Sequence, residues 1–159
     1  MSIVDLETLA SQLKRNERLM GIDLGTKTIG LALSDVERRL ATPYDTIRRR
    51  KFADDIAALL DAMAKFSVTG LVVGLPLNMD GSEGPRAQST RAFVRNLGAH
   101  ADIPVAWWDE RLSTAAVTRE LIDRDVSRAK RAAVIDKMAA AYILQGALDR
   151  IARLSDHQP

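Results

Sequence analysis

Two short apolar segments constrain the fold of this chain more than any other feature of its sequence. They are GLVVGLP, which begins at Gly70, and IPVAWWDE, which begins at Ile103. Neither alternates polar with apolar residues, and both are shorter than a typical helix, so each is predicted to be a strand with both faces buried. Strands of this kind are typical of parallel sheets that are covered by helices on both sides. The two segments therefore predict an α/β fold.

The rest of the chain extends this sheet. The segments RLMGID and TIGLALS flank the glycine-containing turn LGTK and predict a hairpin, and a third strand is predicted at 40–47. Apolar spacing and capping residues predict helices that begin near Phe52, Pro85 and Ser113, followed by a long last helix that ends at about Leu154. The order β-β-β-α-β-α-β-α-α predicts a mixed central sheet, three antiparallel strands followed by parallel strands, flanked by helices.

Length and composition limit the domain organisation and the chemistry. The 159 residues suit one domain at 20–154, after an N-terminal arm at 1–19 that is either a short helix or flexible and before a tail at 155–159. The absence of cysteine excludes disulfides, cysteine–zinc sites and thiol catalysis, and two histidines argue against a histidine triad. No apolar run is long enough to cross a membrane, and the N-terminus does not resemble a secretory signal, so a cytoplasmic protein is expected.

Acidic residues follow apolar strands at two places. Asp23 ends the run LMGI, and the pair Asp109–Glu110 ends the run VAWW. Ligand sites of open α/β sheets form beyond the carboxyl ends of parallel strands, so these acids are expected to meet there. Adjacent strand residues point to opposite faces, which leaves only one member of the pair for the site. We favour Glu110 for its longer reach, with Asp109, which could instead pair with Arg111, as the alternative.

A third acid, Asp136, lies inside the last predicted helix. Its neighbours three and four positions away are alanines at 132, 133, 139 and 140, so this face is expected to pack against protein rather than water. A buried carboxylate is costly unless it is paired, and a divalent cation would offset that cost. Oxygen ligands without cysteine favour Mg²⁺ or Mn²⁺ over zinc. For each acid taken alone, a cap or an arginine pair is an equally good explanation.

Four segments resemble the YqgF family, in the family's order and across about residues 20–150: GIDLGTKTIGLALSD, VVGLPLNMDGSEGPRAQ, DERLST and VIDKMAAAYILQGALD. Members of this family are described as Holliday junction resolvases and as pre-16S rRNA nucleases with a ribonuclease H-like fold. The resemblance implies metal-assisted hydrolysis of a phosphodiester. The family's acidic positions match Asp23, Glu110 and Asp136, so Asp23 would bridge two cations, with Glu110 and Asp136 holding one each.

Basic and polar side chains near these acids are predicted to contact substrate phosphates. The candidates are Lys27, Asn78, Arg111, Arg128, Lys130 and Arg131, with Arg124 in the same basic cluster. A solvated basic turn is the alternative for that cluster. The run Arg48–Lys51 is interpreted as a solvated helix entry.

The resemblance implies a nucleic-acid partner, either precursor ribosomal RNA or junction DNA, and association with ribosomal particles is a further expectation. We favour maturation of the 5′ end of pre-16S rRNA because of the family description. A resolvase would favour a homodimer, whereas end trimming is compatible with a monomer. DLGTKTIG also resembles the phosphate-binding hairpin of sugar kinases and actin-like ATPases, but those enzymes need two such domains. A non-catalytic binding protein of the ribosome or of the transcription machinery is the remaining alternative.

Overall fold

A six-stranded mixed sheet with helices on both faces forms the centre of the computed structural model, which describes residues 2–112 and 128–156, with the side chains of the last helix described from 136 to 154. The strands are β1 (Ser2–Ile3), β2 (Arg18–Leu24), β3 (Thr28–Ser34), β4 (Ala41–Arg48), β5 (Val68–Leu75) and β6 (Pro104–Asp109). The helices are α1 (Leu6–Gln12), α2 (Phe52–Lys65), α3 (Pro85–Leu97) and α4 (Arg128–Asp156), and a 3-10 turn covers Glu110–Leu112. None of the described helices is long and apolar enough to span a bilayer.

The strands lie in the order β1-β6-β5-β2-β3-β4. β2, β3 and β4 pair in antiparallel fashion, whereas β5 lies parallel to both β2 and β6. This arrangement confirms the predicted α/β fold, three antiparallel strands followed by parallel ones. The helix predicted from Ser113 lies outside the described residues.

Two hydrophobic clusters cover the two faces of the sheet. On one face, side chains of β2, β3, β5 and β6 pack with those of α2 and α3, among them Ile22, Leu59 and Phe93. On the other face, α4 packs directly on the sheet through Ala140, Ile143 and Leu144. Residues that alternate along β2 therefore face different helices, as expected for a strand that is buried on both sides.

The N-terminal segment adds a strand and a helix that the predicted order lacks. Ser2 and Ile3 pair in parallel with Pro104 and Val105 of β6. Helix α1 follows, capped by Asp5, whose side chain accepts a hydrogen bond from the Thr8 amide. Leu9 of α1 is fully buried in the cluster beneath α4. Of the two alternatives for this segment, a helix or a flexible arm, the structure has the helix, because Leu9 gives α1 an apolar anchor.

The turn between β3 and β4 depends on one carboxylate. Asp35 accepts hydrogen bonds from the amides of Arg39, at 2.8 Å, and Leu40, at 3.0 Å. The Leu40 bond above all, helped by that of Arg39, lowers the pKa of the Asp35 carboxyl from its usual 3.8. A carboxyl whose pKa is lowered by folding stabilises the fold above its unfolded pKa, and that stability is lost as the pH falls through the folded value.

We expect Asp35→Ala to lower the free energy of unfolding by about 1 kcal/mol at pH 7, since both hydrogen bonds are lost. The difference from the wild type should shrink as the pH falls below the usual pKa of 3.8, and it should vanish only below the lowered pKa of the folded state, where the folded carboxyl is protonated. Urea unfolding at pH 7 and at pH 3 measures both values. Glu37→Ala, in the same turn and 68% exposed, is the control and should change stability by less than about 0.5 kcal/mol. A deficit of Asp35→Ala that is equal at both pH values would contradict this account.

Candidate functional site

Asp23 lies near the carboxyl end of β2 and is only 1% exposed. It faces α4, because Gly21 on the same side of the strand touches the helix: a Cβ atom at Gly21 would lie 2.7 Å from the Ala140 carbonyl oxygen. Across the antiparallel pair, Asp23 lies opposite Gly30 of β3. On the other side Ile22 pairs with Val73 of β5, and one further step places Asp23 beside Gly74. A buried carboxylate thus lies between two strand positions that have no side chain.

Glu110 follows β6 in the 3-10 turn and is 8% exposed. A Cβ atom at Gly74 would lie 2.8 Å from its Oε1, so the carboxylate of Glu110 lies over Gly74. Since Gly74 is the position beside Asp23, the absence of a side chain there leaves room for Glu110 to reach toward the end of β2. Oδ2 of Asp23 and Oε1 of Glu110 are both buried atoms.

The neighbouring acid, Asp109, has a different environment. Arg111 donates to it from Nε, at 3.1 Å, and from Nη2, at 2.7 Å, and the Arg111 amide donates to Oδ1 at 3.0 Å. The guanidinium bond lowers the pKa of the Asp109 carboxyl and raises the pKa of Arg111. Of the two acids that end β6, therefore, Asp109 is paired with arginine and Glu110 lies over the sheet.

Asp136 approaches from the other side of Asp23. Its main chain lies on Gly30, where a Cβ atom would overlap the Asp136 carbonyl group and lie 2.7 Å from the Lys137 nitrogen. Its side chain is half-buried, and its Oδ2 would lie 3.1 Å from a Cβ atom at Gly25, in the turn after β2. The alanine-rich face of α4 does pack on the sheet, with Ala139 and Ala140 buried. Small residues on both surfaces allow this close approach.

The three predicted acids thus converge on one end of the sheet from three elements, with Glu110 over Gly74 and Asp136 over Gly30 and Gly25. Within the described part of the chain, no three acidic or histidine side chains are arranged to hold one ion as they stand. The donors at this end of the sheet are carboxylate oxygens, which suit hard cations such as Mg²⁺ and Mn²⁺. A positive charge at this end of the sheet would also offset part of the cost of burying the carboxyl groups of Asp23 and Glu110.

The predicted phosphate contacts are more scattered. Lys27 is exposed in the turn after β2, and Asn78 is exposed in the loop before α3, where its Nδ2 donates to Ser82 at 3.0 Å. Arg111 donates to Asp109 and to the Met79 carbonyl, at 3.2 Å, so it connects that loop to the end of β6. Arg128, Lys130 and Arg131 lie in the first turn of α4, where the backbone alone is described, and Arg124 lies outside the described residues.

Two arginines that the sequence analysis did not select lie close to the turn after Asp23. Nη1 of Arg49 donates to the Gly25 carbonyl at 2.8 Å, and Nη2 of Arg86 donates to the Leu24 carbonyl at 3.3 Å. The Arg49 amide also donates to the Lys27 carbonyl at 2.8 Å, which extends the pairing of β4 with β3 by one residue. Arg49 lies two residues after the strand predicted at 40–47, and this position was a signal that could have separated it from its exposed neighbours.

Comparison with known proteins places the chain in a family. The family model described as "RuvX: Holliday junction resolvase" matches residues 17–150. A protein of Methylocella silvestris named "Putative pre-16S rRNA nuclease" is 63% identical over 152 residues, which cover 96% of this chain and 94% of the relative.

Among solved structures, the Thermus thermophilus RuvC in complex with a Holliday junction substrate is similar with a TM-score of 0.53 and 16% identity, covering 90% of this chain and 99% of that one. The yeast mitochondrial Holliday junction resolvase Ydc2 gives a TM-score of 0.55 and 15% identity, covering 96% and 86%. These two likenesses concern the fold. The family model and the relative confirm the resemblance predicted from the four motifs, and the chain belongs to the RuvX family.

Proposed function

We propose that this chain is a nuclease that hydrolyses phosphodiester bonds, and that it acts in maturation of the 5′ end of pre-16S ribosomal RNA. The observation that carries the proposal is the convergence of Asp23, Glu110 and Asp136 on one end of the sheet. The name of the 63% identical relative supports the choice of substrate. The family description supports a second candidate, resolution of Holliday junctions, which uses the same chemistry on DNA.

The reaction we propose depends on a divalent cation, Mg²⁺ or Mn²⁺, held by Asp23, Glu110 and Asp136. Mg²⁺ in nuclease-like sites is commonly bound by one or two carboxylates together with waters and substrate phosphates, so a closed cage of three side chains is not required beforehand. Asp23 and Glu110 supply the buried carboxylates, and Asp136 would join by rotation of its half-buried side chain away from Gly25. When bound, such cations stabilise the negative charge that develops on the phosphate and lower the pKa of water.

The protein's own residues position this chemistry. Burial of Asp23 and Glu110 beneath α4 restricts bulk water, which strengthens electrostatic interactions at the site. Glycine at 30 and 74 lets α4 and Glu110 approach Asp23. Lys27, Asn78 and Arg111, and Arg128, Lys130 and Arg131 at the start of α4, remain our candidates for substrate phosphates, which would set the position of the strand without reading its sequence.

The neighbouring acids Asp109 and Glu110 provide a matched pair of variants that tests the proposed nuclease function. Purified protein is incubated with precursor 16S RNA and, separately, with four-way junction DNA, in Mg²⁺, in Mn²⁺ and in EDTA. We expect cleavage of the RNA that requires the metal and that falls at least about a hundredfold in Glu110→Gln, because one charge that holds the cation is removed. Asp109→Asn, which changes an acid paired with Arg111, should retain activity within a few-fold.

The two substrates separate the candidate functions. Cleavage of the junction alone would favour the resolvase. If neither nucleic acid is cleaved by folded wild-type protein, the chain would instead be a binding protein, and equal losses in the two variants would remove Glu110 from its proposed role.

A further inference from the structure

A cavity of about 310 Å³ opens beside the turn that follows Asp23. Its polar lining comes from that turn, from the residue after β4 and from the first turns of α3: Gly25, Thr26, Arg49, Arg86, Ser89 and Thr90. Asp23 faces α4, whereas the cavity lies on the α3 side of the same end of the sheet. The lining residues of that turn therefore follow Asp23 closely in sequence. The end of the sheet separates the cavity from the proposed catalytic site, which lies on the α4 side.

The charge in this cavity is positive. Neither Arg49 nor Arg86 forms an ion pair with a described carboxylate, and none of the described residues that line the cavity is acidic. Arg49 donates a hydrogen bond to the Gly25 carbonyl and Arg86 donates one to the Leu24 carbonyl. A guanidinium has five N–H groups, so most of the donors of each arginine remain for a ligand. The guanidinium of Arg49 also lies 5.7 Å from the centre of the Phe93 ring, which helps to fix its orientation.

The start of α3 adds to the positive electrostatic potential of the cavity. Its N-cap is Gly84, which makes no side-chain capping bond, and its first turn has no acidic residue. The first amides of a helix have no partner within the helix, and the helix dipole is positive at this end. The hydroxyls of Ser89 and Thr26 stand at the same opening and can donate to an anion.

We propose that this cavity binds a backbone phosphate of the nucleic-acid strand, one that neighbours the phosphate to be cleaved. The inference deepens the proposed nuclease function and rests on it for the identity of the ligand. Two arginines and a helix start converge here, with no carboxylate among the described lining residues, and this combination suits an anion. Arginine forks match phosphate oxygens. Leu24 and Gly25 follow Asp23 directly, so at about 3.3 Å per residue the cavity begins within roughly 7 Å of it along the chain. A nucleic-acid strand that is bound at both the catalytic site and the cavity would cross the end of the sheet.

Arg86→Gln tests this inference, with Arg95→Gln as its control. Both arginines are exposed and lie on α3, but Arg95 is in the last turn of the helix, away from the cavity. Binding of a fluorescent single-stranded RNA, and of DNA of the same sequence, is measured in EDTA so that no cleavage occurs. We expect Arg86→Gln to weaken binding about tenfold and to reduce the slope of log affinity against log salt by about 0.7, the value for one phosphate contact on a single strand. Arg95→Gln should stay within about twofold.

Strands with one uncharged methylphosphonate linkage locate the contact. At one position along the strand, the neutral linkage should weaken binding to the wild-type protein but not to Arg86→Gln, because the two changes remove the same interaction. Arg49→Gln should reproduce the result, provided that its melting temperature shows it to be folded. Equal affinity and salt slope for Arg86→Gln and Arg95→Gln would overturn the inference.

Two further outcomes separate this inference from its alternatives. Inorganic phosphate or ATP that raises the melting temperature of the wild type but not of Arg86→Gln, with RNA binding unchanged, would assign the cavity to a small phosphate ligand and overturn the inference. Binding is measured without a metal, so it does not depend on cleavage. If the wild type binds RNA without cleaving it and Arg86→Gln binds more weakly, the nuclease function is disproved and the phosphate site remains.

Discussion

Asp23→Asn should reduce metal-dependent cleavage by about a thousandfold or more while leaving the protein folded. The carboxylate is central to the proposed site, between Gly30 and Gly74, and Glu110 and Asp136 approach it from the two sides. Asparagine has almost the same size and shape but lacks the charge that attracts a divalent cation. A cation at such a site contributes several kcal/mol to stabilisation of the transition state, and about 4 kcal/mol corresponds to a thousandfold in rate. Single-turnover cleavage of precursor RNA in Mg²⁺ is the measurement.

The stability of the same variant gives a result that does not depend on turnover. Without metal, Asp23→Asn should remain folded and melt cooperatively, because asparagine has almost the same size and shape as aspartate. Addition of Mn²⁺ should raise the melting temperature of the wild type and have little effect on the variant, because a ligand that binds only the folded state stabilises it. A folded Asp23→Asn protein that cleaves RNA at the wild-type rate would end the proposed mechanism.

Five of the six strands of the central sheet, β2 to β6, could be predicted from local patterns because each is defined by its own side chains. The apolar runs at β5 and β6 and the hairpin of β2 and β3 follow from residue type and turn composition. Strand β1 could not be predicted in this way, since two residues carry almost no local signal. It exists because Ser2 and Ile3 find partners on β6, about a hundred residues later in the chain.

The candidate site likewise has a part that could be predicted from the sequence and a part that could not. An acid at a strand end, or among alanines on a helix, is visible in the sequence, and that was enough to select Asp23, Glu110 and Asp136. The function of Gly30 and Gly74 was not visible, because it depends on which residues the register places beside Asp23. Arg49 was interpreted as part of a solvated run, since its contact with the Gly25 carbonyl arises only when β4 pairs with β3.

Gly30→Ala should be the most destabilising single-methyl change at this end of the sheet. The added Cβ would overlap the carbonyl group of Asp136 and lie 2.7 Å from the Lys137 nitrogen. Both obstacles are backbone atoms of α4, so no rotation of a side chain relieves the overlap and the helix must move away from the sheet. Overpacking of this kind costs 1–3 kcal/mol and sometimes more, and we expect about 3 kcal/mol or more here. For a chain of this length, that corresponds to a decrease of roughly 6–12 °C in melting temperature.

Two other glycines show whether the loss comes from the backbone contact. At Gly74 the new Cβ would meet the ends of two side chains, Ile143 Cδ1 at 2.5 Å and Glu110 Oε1 at 2.8 Å, which can rotate away. Gly74→Ala should therefore cost less stability than Gly30→Ala but should impair cleavage, because it displaces Glu110. Gly98 ends α3 with φ −60° and ψ −21°, a conformation that alanine adopts readily, so Gly98→Ala should leave the melting temperature unchanged or slightly raised. If Gly30→Ala melts within 2 °C of Gly98→Ala, α4 does not press on β3 as described, and the placement of Asp136 beside Asp23 fails with it.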